Sequence, residues 1–203
     1  MSSNRLISIR TAHSNNRHMA PVSCFTELTH LGLVALVNLP VRGPDVPMID
    51  LTLPHGVLSD DAKAELMQTL TRTLLKWEGA KPGNKAAESI AWTFLHEPAL
   101  VTVAGRPAQQ PHYRVVVGVP QATLDDDAKE GLVAEVTDQV LRAEQNGLDP
   151  APEDGFRVWV IVDEITDGNW GGAGRIFRLP DILAFAGASE EEIQRRTARL
   201  QAK

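Results

Sequence analysis

Two stretches of this chain are copies of each other, and that duplication limits the possible folds more than any other feature. Residues 54–66, PHGVLSDDAKAEL, align with residues 120–132, PQATLDDDAKEGL, at a constant offset of 66, matching at Pro, Leu, Asp, Asp, Ala, Lys and Leu. Farther along, residues 89–97, SIAWTFLHE, lie against residues 156–164, FRVWVIVDE, at an offset of 67, pairing Trp92 with Trp159 and Glu97 with Glu164. One inserted residue separates the two registers, so the chain holds two copies of one unit of about 65 residues.

Each copy has the pattern strand, helix, strand. In the first, Ile49, Leu51 and Leu53 alternate with Asp50 and Thr52, and Pro54 ends the strand because it has no N–H to give a ladder. A helix starts after Ser59, an N-cap, with Asp60 and Asp61 facing the positive end of the helix dipole. Its apolar stripe is Ala62, Leu66, Leu70, Leu74 and Trp77, and Gly79, Pro82 and Gly83 stop it. A second strand is expected over 90–95. In the second copy the strands are 113–119 and 158–165, and the helix between them is capped by Asp125 and buries Leu132, Val133, Val136, Val140 and Leu141. A strand-helix-strand crossover makes its strands parallel. The expected fold is therefore α+β: two tandem β-α-β units forming a four-stranded sheet with two helices on one face.

The opposite face of such a sheet directs Ile, Leu, Val, Trp and Phe side chains into water, which implies a partner surface and self-association around an axis. After the last strand, residues 166–175 hold four Gly, too many for a helix or a central strand. Such a turn brings backbone close to a ligand or a neighbouring subunit. Ser189 with Glu192 forms a capping box, and Glu191/Arg195 and Glu192/Arg196 are spaced as helical pairs, so 189–203 reads as a short surface helix.

Residues 1–46 differ from the rest. They carry Arg5, Arg10, Arg17 and Arg42 against Glu27 and Asp45, while the other 157 residues hold sixteen basic and twenty-four acidic side chains. The segment has no helical or strand period and reads as a disordered tail or as upstream sequence that is not native to the protein. A secretory signal fits poorly, since about 30 polar residues precede its apolar stretch and no small-x-small site follows. The composition also loosely fits a transit peptide. The net charge of −6 is the wrong sign for a nucleic-acid or anionic-membrane binder. The longest purely apolar run, 33–37, is far short of the roughly 18 to 20 residues of a membrane span. Cys24 is alone and supports neither an internal disulfide nor a thiolate zinc site, so a reducing cytoplasm is expected. No metal-ligand spacing, phosphate-binding Gly loop or Ser/His/Asp motif occurs, and no cofactor is implied.

The residues 47–53, PMIDLTL, with the helix start Leu58-Ser59-Asp60, the strand 158–165, VWVIVDEI, and the turn 168–174, GNWGGAG, together resemble the tautomerase superfamily. In that family β-α-β units associate into trimeric or pseudo-hexameric rings. The resemblance covers Pro47 to about Gly187, which divides the chain into a leader, a tautomerase-like domain at 47–188 (units 47–110 and 111–188) and the C-terminal helix. It is to the fused, two-unit form, as in the cis-3-chloroacrylic acid dehalogenase group; single-unit enzymes such as 4-oxalocrotonate tautomerase share the unit. It implies a homotrimer acting on a small enol or dienol carboxylic acid, with an amino-terminal proline as general base. A free α-amine titrates at roughly 7.7 to 8.0, and burial or nearby cations lower that further, so a neutral base exists at working pH.

As written, Pro47 is internal, and an acylated proline nitrogen is an amide without useful basicity. Activity requires either that Val46 be the true start, read as Met and removed, or that a protease cut after Val46. Otherwise Pro47 only begins a strand, and the chain is a catalytically inactive member kept as a binding or scaffold protein. Family members place Arg just before the first helix and on the second strand of the unit; this chain has Leu58 and Leu124, and Trp92 and Trp159, there. Candidates to hold the substrate carboxylate are then Arg157, two residues before Trp159, Arg106 and Arg114 near the junction of the copies, and Arg175 after the Gly turn. Each has the alternative of a solvated or ion-paired surface residue. Trp170 is a candidate apolar wall or an intersubunit packing residue, and Tyr113 a candidate to polarise a carbonyl or an ordinary packed residue. His96 and Glu97 are a possible proton pair, but the copy has Asp163 and Glu164 there, which favours a strand-end salt bridge. His55 and His112 fall in loops. Where dehalogenases place a water-activating acid the chain has Gly171 and Gly172, which disfavours hydrolytic dehalogenation.

Overall fold

The structure, a computed structural model, describes residues 47–202; the leader at 1–46 lies outside the described residues. Strand β1 (Met48–Thr52) is followed by helix α1 (Asp60–Trp77), whose N-cap Ser59 accepts from the Ala62 N–H at 3.2 Å. A short helix α2 (Lys85–Glu88) precedes β2 (Trp92–His96), and a two-stranded hairpin, β3 (Thr102–Val103) and β4 (Arg106–Pro107), closes the first copy. The second copy repeats the order with β5 (Tyr113–Pro120), α3 (Asp126–Glu144), a 3-10 turn (Pro152–Arg157), β6 (Val158–Ile165) and a hairpin of β7 (Trp170–Gly172) and β8 (Arg175–Phe177). Helices α4 (Leu179–Phe185) and α5 (Glu190–Gln201) follow.

The main sheet has the order β2-β1-β5-β6, with β1 parallel to β2, β5 parallel to β6, and β1 antiparallel to β5. This is the four-stranded sheet expected from two β-α-β units. The second strand begins at Trp92 rather than residue 90 because Asn84 caps α2, accepting from the Ala86 and Ala87 N–H groups, and the chain needs residues 89–91 to leave that helix. The apolar stripes reach the core as their spacing predicts. Ile49, Leu51, Val115, Val117 and Val119 face Leu66, Leu70, Leu74, Leu132, Val136 and Val140, all nearly inaccessible to solvent. Each such side chain contributes roughly 1.5–3 kcal/mol relative to exposure.

Between α1 and α3, Gln139 donates to the Thr73 hydroxyl at 2.7 Å and the Trp77 indole N–H donates to Glu135 at 2.8 Å. The Lys76 ammonium, bonded to the same Glu135 carboxylate at 2.7 Å, holds that group below the usual carboxylate range. The benzo edge of the Trp77 ring closes on Gly131, where an added Cβ would come within 2.1 Å of it. Gly131→Ala, a change that gains about 1 kcal/mol in an open helix, is therefore expected to destabilise by about 1–3 kcal/mol through overpacking. Thermal unfolding of the variant checks this, and a melting temperature equal to or above the parent's would refute it.

The duplication is also visible in side-chain pairs. Lys63 bonds Glu97 at 2.9 Å, and Lys129 bonds Glu164 at 2.8 Å, tying each helix to the end of its own second strand. These are the strand-end salt bridges favoured for Glu97 and Glu164; His55 also approaches Glu97, at 3.7 Å. The hydrogen bond from Lys63 holds the Glu97 carboxyl below its ordinary pKa. A carboxylate depressed in the folded state stabilises above its unfolded pKa and loses that contribution as the pH falls through the folded value. Stability should thus decline on acidification through and below the usual carboxylate range, and Lys63→Met should flatten that decline in melts run from pH 7 to pH 3.

The C-terminal helix is more than a surface appendage. Arg196 is buried, donates to the Glu78 carbonyl at 2.6 Å and pairs with Glu192 at 2.7 Å, which docks α5 against the end of α1. The second expected helical pair is replaced: Arg195 approaches Glu192 at 4.0 Å, one turn position away from Glu191. Among the described residues no helix is long and apolar enough to cross a membrane.

Candidate functional site

The face of the sheet away from the helices is uncovered by any described residue layer. Strand registers place its side chains in three rows: Trp92, Met48, Gly118, Asp163; then Phe94, Asp50, Val116, Ile161; then His96, Thr52, Arg114, Trp159. Trp92 and Trp159, the repeated pair, remain 59% and 70% accessible. Within this face His96 Nε2 lies 2.6 Å from the Asp50 carboxylate. His96 is thereby tied to Asp50 and Glu97 to Lys63, so the two neighbours do not form one proton pair.

Pro47 is buried and stands immediately before β1, in the interior of the sheet, with its carbonyl accepting from the Trp92 N–H at 3.1 Å. Because Met48 pairs with Gly118 and β6 runs parallel to β5, the exit of β6 lies at this same end of the sheet. The β7–β8 hairpin begins five residues after that exit; Trp170 pairs with Phe177 and the Arg175 guanidinium sits 4.6 Å above the Phe177 ring. The Gly-rich turn is thus a hairpin.

The other candidates collect at the opposite end. Thr52 pairs with Arg114 and Tyr113 with Val158, so Tyr113 and Arg114 are separated from Pro47 by the length of β1, roughly 16 Å at about 3.3 Å per residue. Arg157 lies at the end of the 3-10 turn, just outside β6 and not on the strand face with Trp159. It is buried, pairs with Glu144 at 2.9 Å and Asp154 at 3.0 Å, and donates to the Pro111 carbonyl at 2.9 Å. Two carboxylates and a carbonyl occupy it, and its hydrogen bond holds Asp154 below the usual range. Tyr113 points to the helix side, where burial and the neighbouring Glu144 carboxylate push the phenol up and out of the working range. Both residues are packed structural groups in this protomer. Arg106 is exposed on β4 and Arg114 on β5; among the described residues neither forms an ion pair.

A third block of the repeat was missed in the sequence. Ala104-Gly105-Arg106 and Ala173-Gly174-Arg175 match at an offset of 69, and each forms the two-residue turn of its hairpin. Ala104 and Ala173 have φ of 51° and 47°, and Gly105 and Gly174 of 75° and 74°, the paired positive values of a type I′ turn. Three shared residues after two insertions gave too short a signal by itself. In consequence Arg106 and Arg175 are equivalent residues of the two copies.

Leu58 and Leu124, at the places where related enzymes carry Arg, are buried in the core. No family model matches the chain, and no curated protein matches it. Solved structures do resemble it. N1, a member of the cis-3-chloroacrylic acid dehalogenase family, superposes with a TM-score of 0.54 at 16% identity, covering 74% of this chain and 99% of that one. Pt0534 inactivated by 2-oxo-3-pentynoate gives 0.51 at 19% identity, covering 64% and 94%. The F6 fused 4-OT asymmetric trimer gives 0.50 at 22%, also covering 64% and 94%. The described chain therefore shares the fold of these proteins, with both of its β-α-β units in one polypeptide.

Proposed function

We propose that the protein beginning at Pro47 is a cofactor-independent keto–enol tautomerase for small enol or dienol carboxylic acids, working as a homotrimer. The observation that carries this is the place of Pro47: buried, at the head of a central strand, at the end of the sheet where β6 exits toward the hairpin that carries Trp170 and Arg175. A free proline there has a secondary amine held rigidly by its ring. In its neutral form it takes the enol O–H proton, the C–O bond becomes C=O, and the former double-bond carbon receives a proton back from the ammonium. The base is regenerated and the atoms balance. Arg175 holds the substrate carboxylate and the developing oxyanion, and Trp170 forms an apolar wall that lowers the local dielectric. The neighbours' printed descriptions, fused 4-OT and a dehalogenase-family protein, fit this class of chemistry. A trimer covers the apolar part of the exposed sheet face around Phe94 and Ile161, and the F6 fused 4-OT is described as an asymmetric trimer.

A second reading is favoured by Leu58 and Leu124: with leucines buried at both helix starts, two cations of related sites are missing, as suits a ring kept for binding or scaffolding. Intact mass of untagged protein expressed from its own gene, together with its rate on a panel of enol acids, separates the two. A mass starting at Pro47 with measurable ketonisation supports the enzyme. A free Pro47 amine with no turnover across the panel supports the scaffold.

A further inference from the structure

The duplicated unit builds two sheet ends, and only one begins with Pro47. At the other end the residue 66 positions later is Tyr113, also buried and also at the head of its strand. The β3–β4 hairpin stands over this end. Between that hairpin and the sheet lies an open cleft of about 520 Å³, within the range of small-molecule sites. Its walls include Val101, Val103, Phe156 and Trp159, of which Phe156 and Trp159 are the most accessible aromatic side chains among the described residues. Arg114 lines it as well, and in the first copy the equivalent residue is Met48. The cation belongs to the second copy alone.

The charges around the cleft point to an anion. Arg157 is consumed by Glu144 and Asp154, whereas Arg114 has no carboxylate partner among the described residues. His112 donates through Nδ1 to the Gln110 carbonyl at 2.9 Å, which presents no negative group. An exposed guanidinium beside two aromatic faces matches a planar ligand with a carboxylate at one end: the fork takes the two oxygens and the rings take the conjugated body. The Tyr113 phenol faces the core and is held protonated, so it offers the cleft no charge. We infer that this cleft is a second site, which binds an aromatic or conjugated carboxylate through Arg114 and Trp159. The inference rests on the duplicated fold of the proposed enzyme and not on its chemistry.

The probe is trans-cinnamate, which is planar, conjugated and has no enolisable proton. Titration into the full-length chain, mass-verified to retain residues before Pro47, removes proline chemistry from the measurement. Tryptophan fluorescence and calorimetry should show a saturable site that depends on Arg114. Arg114→Met should weaken binding at least tenfold and Arg114→Lys by less, because charge stays while the fork is lost; Arg72→Met, exposed on α1, should leave affinity within twofold. Arg114 is exposed, so the variants keep the core, and an unchanged melt confirms it. Absence of saturable binding overturns the site. So does binding that is kept in Arg114→Met, or an Arg114→Met protein that changes sedimentation while cinnamate never binds, which would make the cleft a contact between copies. Inactivity of the Pro47 protein on enol acids would remove the proposed enzyme and leave this result unaffected.

Discussion

Protein that begins at Pro47 should ketonise phenylenolpyruvate or 2-hydroxymuconate about a hundredfold faster or more than the chain with residues still in front of it. The size follows from what a positioned general base contributes, roughly 10²–10⁴-fold. Acylation of Pro47 does not weaken this base gradually; it converts an amine into an amide whose lone pair is delocalised into the carbonyl. One residue added before Pro47 should therefore cost nearly as much as the whole leader. Pro47→Ala at the true terminus keeps a primary amine in the same place and should lose only part of the rate. The pH profile gives a further check. Because the working form is the neutral amine, kcat/KM should rise with pH through the amine's pKa, below the unperturbed 7.7–8.0 if burial and Arg175 disfavour its charge. Blocked protein should show no such limb. Equal rates for blocked and free protein, with mass confirming the block, would end the case for proline catalysis.

Much of this arrangement can be seen in the residues alone, and the parts that cannot share a cause. Ser59, Asp125 and the apolar stripes locate both long helices, because capping and 3.6-residue periodicity are local properties. The repeat then fixes two parallel pairs. How the two pairs meet is non-local: β1 runs antiparallel to β5, and only that orientation sends Pro47 to one end of the sheet and Tyr113 and Arg114 to the other. Sequence alone offers Arg106 and Arg114 for their nearness to the junction between copies, Arg157 for its place before Trp159, and Tyr113 for its hydroxyl, as partners of the proline. The register separates them from it. Arg157 shows a different limit, since its neutralising partners Glu144 and Asp154 come from the end of α3 and from the 3-10 turn, and no spacing rule links all three. The short elements α2 and α4 escaped notice because neither is long enough for a period to show; each is set by a cap or by a tertiary hydrogen bond, as where Asn84 donates to the Ala186 carbonyl at 2.6 Å.

Ile161→Glu should convert the protein from trimer to monomer at micromolar concentration, the second large effect expected of this architecture. The helix-free face of the sheet exposes Trp92, Phe94 and Ile161, aromatic and aliphatic groups that a chain living alone would have replaced by polar ones, while Trp159 in the last row lines the Arg114 cleft. Covering each is worth roughly 1.5–3 kcal/mol, and a ring repeats the gain in every protomer. Ile161 lies in the middle row, beside Val116 and Asp50, and the Asp50 carboxylate there lies 2.6 Å from His96 Nε2. A carboxylate at 161 brings a new charge into the covered face, with Arg114, diagonal to it on β5, as a cation within reach. Desolvating it costs several kcal/mol even beside a cation, more than one side chain's share of the interface, and a threefold assembly would incur that cost three times. The folded protomer should survive, because Ile161 faces away from the helix-side core. Sedimentation velocity on the parent, on Ile161→Glu and on Ala198→Glu, a charge added to the exposed surface of α5, checks the expectation. The parent and Ala198→Glu should sediment alike as trimers and Ile161→Glu at one third of their mass, with an unchanged far-ultraviolet circular dichroism spectrum. A trimer that tolerates glutamate at 161 cannot have this face turned inward.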